Sequence, residues 1–314
     1  MFLSPSLLLA GFLVSPRLAA ALQSGLQNIL KNTHGSEEYG YPTDLTRGIM
    51  PIPVHSHNDY WRDVPFYTGL SRGCISTEAD VWLYNDTLYV GHDESSLTEK
   101  RTLESLYIKP MVDVLERQNP RTPFVTSPTN NGVFDTDTSQ TLYFFIDLKT
   151  SGPKTLGAVI AALQPLREKG YLTTLKGNKT ITKGPITVIG SGNTPLILVA
   201  PVADRDYFFD APLDFLHTPI YAGVTSLISP IASAGFKRAV GAINSSDEDS
   251  VLSKKQLKTL RSQIKTAKDR GIGARYWGTP HYPISTRNAV WRSLLQEGVA
   301  LLNADDLDAA AGYF

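Results

Sequence analysis

Cysteine is almost absent from this 314-residue chain, where Cys74 stands alone. A single thiol excludes an intrachain disulfide and any thiolate metal cluster. Excess charge is lacking as well, because thirty basic and thirty acidic residues cancel. No broad positive field draws nucleic acid, and no nucleic-acid partner is expected. The apolar run from Leu7 to Val14 is too short to span a bilayer, so no stable membrane span is expected. No glycine-rich phosphate loop follows an early strand, which argues against a dinucleotide-binding sheet.

What is present is an ordinary globular composition, 42% hydrophobic and 19% charged, able to bury a large core. The apolar run near the start, followed by small residues around Ala19 to Ala21, reads as a secretory signal peptide over residues 1–21. Secretion is the expectation. The lack of a basic residue before the run, and Arg17 near the cleavage point, leave an uncleaved membrane anchor or a mitochondrial presequence as alternatives. Acceptor triplets at Asn85, Asn178 and Asn244 fit a glycoprotein. Residues 22–50 are polar and turn-rich, a lead-in to one domain spanning 51–314.

From Pro51 onward, short apolar strands alternate with helical periodicity. "IPVHSH" reads as a strand, "VPFYTGLSRG" as a short helix, and "ISTEADVWLY-ND-TLYVGH" as strand, tight turn and strand. A helix is expected over 101–118, a buried strand at "TLYFFIDLK", and a helix from Pro153 to Lys169 with Ala158, Ala161, Ala162 and Leu166 on one side. "PITVIGSG" and "TPLILVAPV" are strand candidates, and "YAGVTSLIS" is a weaker one. A helix N-capped by Ser253 and stopped by Gly271 follows, then "GARYWGTP", another helix, the strand "VALLNADD" and a last helix. Seven or eight strands alternating with helices predict an α/β (β/α)8 TIM barrel with a β-hairpin after the second strand.

Catalytic residues of such barrels sit at the carboxyl ends of strands. The first strand ends in "VHSHNDYW", which places His55, His57, Asn58 and Asp59 in one short stretch of a chain with six histidines. On the second, Glu78 and Asp80 are two residues apart and share a face about 7 Å apart along the strand. Two such carboxylates repel unless a cation compensates them, and hard oxygen ligands suit one Mg²⁺ or Ca²⁺. The hairpin returns at His92 and Asp93, and the strand "FFIDLKT" ends on Asp147 and Lys149, again a same-face pair that is costly in apolar surroundings without a partner or a task. Each residue alone reads more readily as a turn or a core ion pair; the set, at successive strand ends, reads as a site. His34, His217 and His281 lack such context and are read as structural or rim residues.

The pattern resembles the phosphatidylinositol-phospholipase-C-like phosphodiesterase barrels, which include glycerophosphodiester phosphodiesterases, phosphoinositide phospholipases and sphingomyelinase D. His on the first strand, "ExD" on the second, "HD" after the hairpin and an acid-x-Lys strand carry the resemblance over Pro51 to Lys149. The whole chain looks most like the fungal altered-inheritance-of-mitochondria family. The resemblance implies His57 and His92 as catalytic acid and base, and Lys149 as the phosphate-contacting lysine. It also implies Glu78, Asp80 and Asp147 as metal ligands, with Asn58 as a fourth, and Trp277 and Asn303 at the substrate rim. His55 is the alternative catalytic residue, favoured by the His-Arg-Gly start of glycerophosphodiesterases; His57 is preferred because Asn58 follows it.

The expected activity is therefore hydrolysis of a glycerophosphodiester or (lyso)phospholipid-type substrate, with no protein partner implied. A secreted, non-catalytic barrel binding a phosphorylated or lipid ligand is the alternative. A glycoside hydrolase fits less well, since Glu78 and Asp80 lie on one strand. A Schiff-base aldolase is disfavoured because Asp147 beside Lys149 favours the charged ammonium.

Overall fold

The computed structural model describes residues 44–125, 127–243 and 251–314. The signal-peptide reading of 1–21, the lead-in up to residue 43 and the Asn244 triplet lie outside the described residues. From Leu45 to Phe314 the chain is one compact unit.

Its strands in chain order are β1 (Ile52–Ser56), β2 (Cys74–Tyr84), β3 (Thr87–Val90), β4 (Leu142–Leu148), β5 (Thr174–Lys176) and β6 (Thr180–Thr182). They continue with β7 (Ile186–Gly192), β8 (Tyr207–Phe209), β9 (Ala211–Pro212), β10 (Ile231–Gly235), β11 (Gly273–Trp277) and β12 (Leu301–Ala304). Nine strands form one path, β8-β7-β4-β2-β1-β12-β11-β10-β9, with β3 hanging off β2. All eight pairings along that path are parallel.

The two ends of the path are neighbours in sequence, separated by Asp210 alone. β8 pairs with β7 and β9 pairs with β10, so Tyr207–Pro212 is one bent stave that serves both edges of the sheet. With that stave counted once, the sheet has eight staves and closes as the expected (β/α)8 barrel. The antiparallel β2–β3 hairpin is also where the alternating pattern placed it.

The elements differ from the sequence reading where small or mixed residues blur the period. "TPLILVAPV" forms a four-residue helix, Leu196–Val199, not a strand. "YAGVTSLIS" holds only the end of a 3-10 turn, Pro219–Tyr221, and no strand. The staves that replace them are Tyr207–Pro212 and the small-residue strand "IASAG", buried along its whole length. The helix read over 153–169 breaks at Leu163 into Gly152–Ala162 and Gln164–Glu168. It packs through Leu156, Val159, Leu163 and Leu166, while Ala161 faces solvent. The helix Lys254–Lys268 behaves as read, with Ser253 and Gln256 in a reciprocal capping box.

Cys74 is buried between β1 and the closing helix, and burial pushes its thiol up to about 12, so it is chemically inert at neutral pH. The acceptor asparagines Asn85 and Asn178 are exposed in tight hairpin turns with left-handed backbone. Among the described residues, no helix is long and apolar enough to cross a membrane.

Candidate active site

The end of β1 is shaped by Asn58, whose φ of 49° turns the chain out of the barrel into the 3-10 turn Asp59–Trp61; asparagine tolerates this left-handed geometry better than most residues. Asp59 does not lie on the surface of that turn. It is fully buried, accepting from Ser56 Oγ at 2.6 Å, Phe66 N at 2.5 Å and Tyr107 Oη at 3.1 Å. The loop is thereby pinned, and Asn58 N donates to Glu78 Oε2 at 3.0 Å.

The strand period then separates the two histidines by depth. His55 is completely buried, with Nδ1 2.7 Å from Ser76 Oγ and Nε2 3.5 Å from Glu78 Oε2. Burial, with the Arg275 charge, pushes it down to about 3, so it stays neutral. His57, two residues on, lines a cavity of about 290 Å³ at the carboxyl end of the barrel, together with His92 across from it. Its Nδ1 lies 2.8 Å from Asp305 Oδ1. Burial opposes the charged imidazole, but Asp305 and Glu78 outweigh it and hold the His57 pKa above the ordinary histidine value.

Glu78, Asp80 and Asp147 converge in the same cavity, each offering an oxygen within 4.8 Å of the others. β2 and β4 are paired in register, with Asp80 opposite Asp147. Burial, then the charges of Glu78 and Asp147, lift Asp80 to about 7. Asp147 is raised mainly by burial. Burial would raise Glu78 too, but contact with His55 and the charges of His57 and Arg275 hold it well below the usual range. Three crowded oxygen ligands, one of them unable to ionise freely at neutral pH, fit a hard divalent cation. Asn58 stands next to this trio: the Tyr60 hydroxyl lies 2.5 Å from Asn58 Oδ1, 2.7 Å from Asp80 Oδ2 and 3.0 Å from His92 Nδ1.

Lys149 projects from the end of β4 with Nζ 3.0 Å from Asp80 and 3.2 Å from Asp147. Burial lowers its pKa, and the two aspartates more than reverse that, so it is an ammonium. Gly192 makes room for this arrangement, since a Cβ there would fall 2.0 Å from Asp147 Oδ1.

Four residues of the site escaped the sequence reading. Arg275 lies on the cavity floor, 3% exposed, donating to Ser233 Oγ at 2.8 Å and Asn303 Oδ1 at 2.9 Å. Its guanidinium stacks 4.5 Å over the Phe145 ring. Asp210, at the break in the bent stave, is buried 3.6 Å from Arg275 and lifted to about 7 by burial. Asp305 and Tyr60 are the others, orienting His57 and touching His92. A lone charge inside "GARYW" or "YFFDAP" was the available signal for the first two. Of the expected rim pair, Trp277 lines the cavity, whereas Asn303 is buried beneath it and serves Arg275. His281 is exposed, 3.4 Å from Asp305, and Asp93 caps the turn after the hairpin.

A family model described as the AIM6-like phosphodiesterase domain matches residues 43–210, more than half of the chain. The chain belongs to the AIM6 family. Curated AIM6 relatives extend the match across the barrel. The altered inheritance of mitochondria protein 6 homolog of Arthroderma benhamiae is 58% identical over 301 residues, covering 94% of each chain. Altered inheritance of mitochondria protein 6 of Zygosaccharomyces rouxii is 35% identical over 298 residues, covering 86% of this chain and 71% of its own. The Saccharomyces cerevisiae (strain YJM789) protein of that name is 32% identical, covering 85% and 72%. AIM6 membership accords with the likeness to phospholipase-C-like phosphodiesterase barrels.

Proposed function

We propose that this AIM6-family protein is a metal-dependent phosphoric diester hydrolase acting on a glycerophosphodiester or (lyso)phospholipid-type substrate. The observation that carries the reading is the meeting of His57 and His92 with the Glu78, Asp80 and Asp147 oxygens and Lys149 in one cavity.

Glu78, Asp80 and Asp147, with Asn58 as a fourth ligand, are the residues that would hold one Mg²⁺ or Ca²⁺. Such an ion supplies electrostatic stabilisation of the charge that builds on the phosphoryl oxygens. Lys149 adds a fixed positive charge from the β4 side and Arg275 another from the floor, both aimed at the same anion. His57 and His92 divide the proton work, one accepting from the attacking hydroxyl and the other donating to the leaving alkoxide. Asp305 holds His57 through Nδ1, which leaves Nε2 toward the cavity; Tyr60 holds His92 in the same manner. His55, buried and neutral, supports Glu78 from below, so the catalytic role is assigned to His57.

Hydrolysis of a chromogenic phosphodiester and of lysophospholipids by the purified protein tests this, with Mg²⁺, Ca²⁺ or EDTA present. His57→Ala and His92→Ala are each expected to lower kcat by about a hundredfold or more. Activity that survives chelation and both substitutions sinks the proposal; metal binding without turnover on any diester favours a non-catalytic ligand-binding barrel. We further propose secretion through residues 1–21, which amino-terminal sequencing of the mature protein tests against an uncleaved anchor or a mitochondrial presequence.

A further inference from the structure

Beside the catalytic cavity lies a second, larger hollow of about 480 Å³, between the segments that follow β10 and β11. Its walls are Phe236, Ile243, Pro280, Tyr282 and Pro283, with Thr286 from the helix Ile284–Gln296. Among the described residues, Lys237 is the one charged residue of this lining, and it is exposed. The volume is in the range of small-molecule sites, and the lining is apolar in the way such sites are.

The two hollows share a partition. Trp277 lines the catalytic cavity, and the next residue, Gly278, lines the apolar one. The Trp277 ring lies against Gly235, where a Cβ would come within 3.1 Å of it, and Phe236 follows directly as the apolar wall. A molecule whose phosphate sits among Lys149, Arg275 and the histidines can reach this apolar hollow over the Trp277 indole. Large apolar side chains stand exposed along this end of the barrel: Tyr282 is 83% exposed, Ile284 59% and, beside His92, Trp61 60%. Exposed apolar surface concentrated at the mouth of a polar site marks a place where an apolar ligand is covered.

We propose that the Phe236–Tyr282 groove holds the hydrocarbon chain of a single-chain lipid phosphodiester whose phosphate occupies the catalytic cavity. This rests on the phosphodiesterase reading for the position of the phosphate, and it selects the lipid class over chain-free glycerophosphodiesters. Two full chains exceed what a single groove with one partition accommodates, so the preferred ligand carries one.

Calorimetric titration of the full-length protein, loaded with Mg²⁺ or Ca²⁺, with octyl-, decyl- and dodecylphosphocholine below their micelle concentrations reads the groove directly. Affinity is expected to rise about three- to fourfold per added methylene, the increment for burying one such group. Two variants with melting temperatures checked beforehand, Tyr282→Asp and Thr286→Trp, charge and fill the groove, and either should flatten that dependence. Equal affinity for the three chain lengths, or an unchanged slope in both variants, overturns the proposal. Self-association that Tyr282→Asp abolishes would place a second copy in the groove and overturn it as well. Turnover of bis(p-nitrophenyl) phosphate is followed in parallel. Turnover without a chain-length slope removes the groove and keeps the phosphodiesterase reading; a slope without turnover does the reverse.

Discussion

His57 and Asp305 are 248 positions apart in the chain and joined by a 2.8 Å contact between Nδ1 and a carboxylate oxygen. The pairing follows from the barrel, because β1 and β12 are parallel neighbours and both residues sit just past their ends. It fixes the imidazole orientation and keeps the ring proton-rich.

Asp305→Asn should therefore lower activity by about tenfold to a hundredfold with the fold intact, the usual cost of losing an orienting partner. The His57 pKa should move down, as read by NMR titration of the ring. Folded His57 binds its proton more tightly than the unfolded chain does, so the pair stabilises the fold at pH values below the ordinary histidine value. That contribution disappears as pH climbs through the folded value, and Asp305→Asn should remove this part of the pH dependence of stability.

The raised carboxylates add a slope of the same sign at lower pH. Asp80 and Asp210 titrate near 7 when folded against an ordinary value of 3.8, so between about pH 4 and 7 the folded state holds more protons than the unfolded one. Stability in EDTA is expected to fall as pH rises through that window and to level off above it. Mg²⁺ or Ca²⁺ should raise the melting temperature at pH 7.5 far more than at pH 5, because Asp80 must lose its proton to bind an ion. Equal shifts at both pH values would remove Asp80 from the ligand set.

Gly192→Ala tests whether backbone geometry reserves the space for Asp147. With φ at +59° and a Cβ 2.0 Å from Asp147 Oδ1, the substitution should cost about 1–2 kcal/mol in backbone strain alone. The cation-dependent rise in melting temperature should shrink with it, as the displaced carboxylate leaves the trio.

Asp59→Ala addresses the loop rather than the chemistry. The buried carboxylate holds Ser56, Phe66 N and Tyr107, and Phe66 itself stands at a left-handed φ of 67°. Losing it strands buried donors, for about 3 kcal/mol by chemical denaturation, of which relief of the Phe66 strain returns a part. Asp59→Asn, which keeps the acceptor on one side, should lose less.

The first half of the site was legible because its residues break the rule of their own strand. Glu78, Asp80, Asp147 and Lys149 are charges at same-face spacing inside apolar staves, a cost that sequence alone exposes. The second half hid behind ordinary explanations. In "NADDL" either aspartate suits a helix cap; Asp306 takes that role, accepting from Ala309 N at 3.0 Å, which frees Asp305 for His57. Nothing local distinguishes the two. Arg275 and Asp210 each looked like a single stray charge, and only the closed barrel brings them within 3.6 Å. The stave "IASAG" carried too little bulk to read as a strand, yet small residues are what lets the Trp277 ring lie against Gly235.

The bent stave has a practical consequence for anyone expressing part of this protein. The family match stops at Asp210, at the hinge between β8 and β9, so a fragment cut there would keep all three acids of the Glu78, Asp80 and Asp147 cluster and look well furnished. It would also be half a cylinder, with the β1 and β8 edges laid open and their backbone amides free to recruit strands from other molecules. Such a fragment should precipitate rather than fold. The limit of the family model's match and the limit of cooperative folding fall in different places, and the second extends to the helix at the carboxyl terminus.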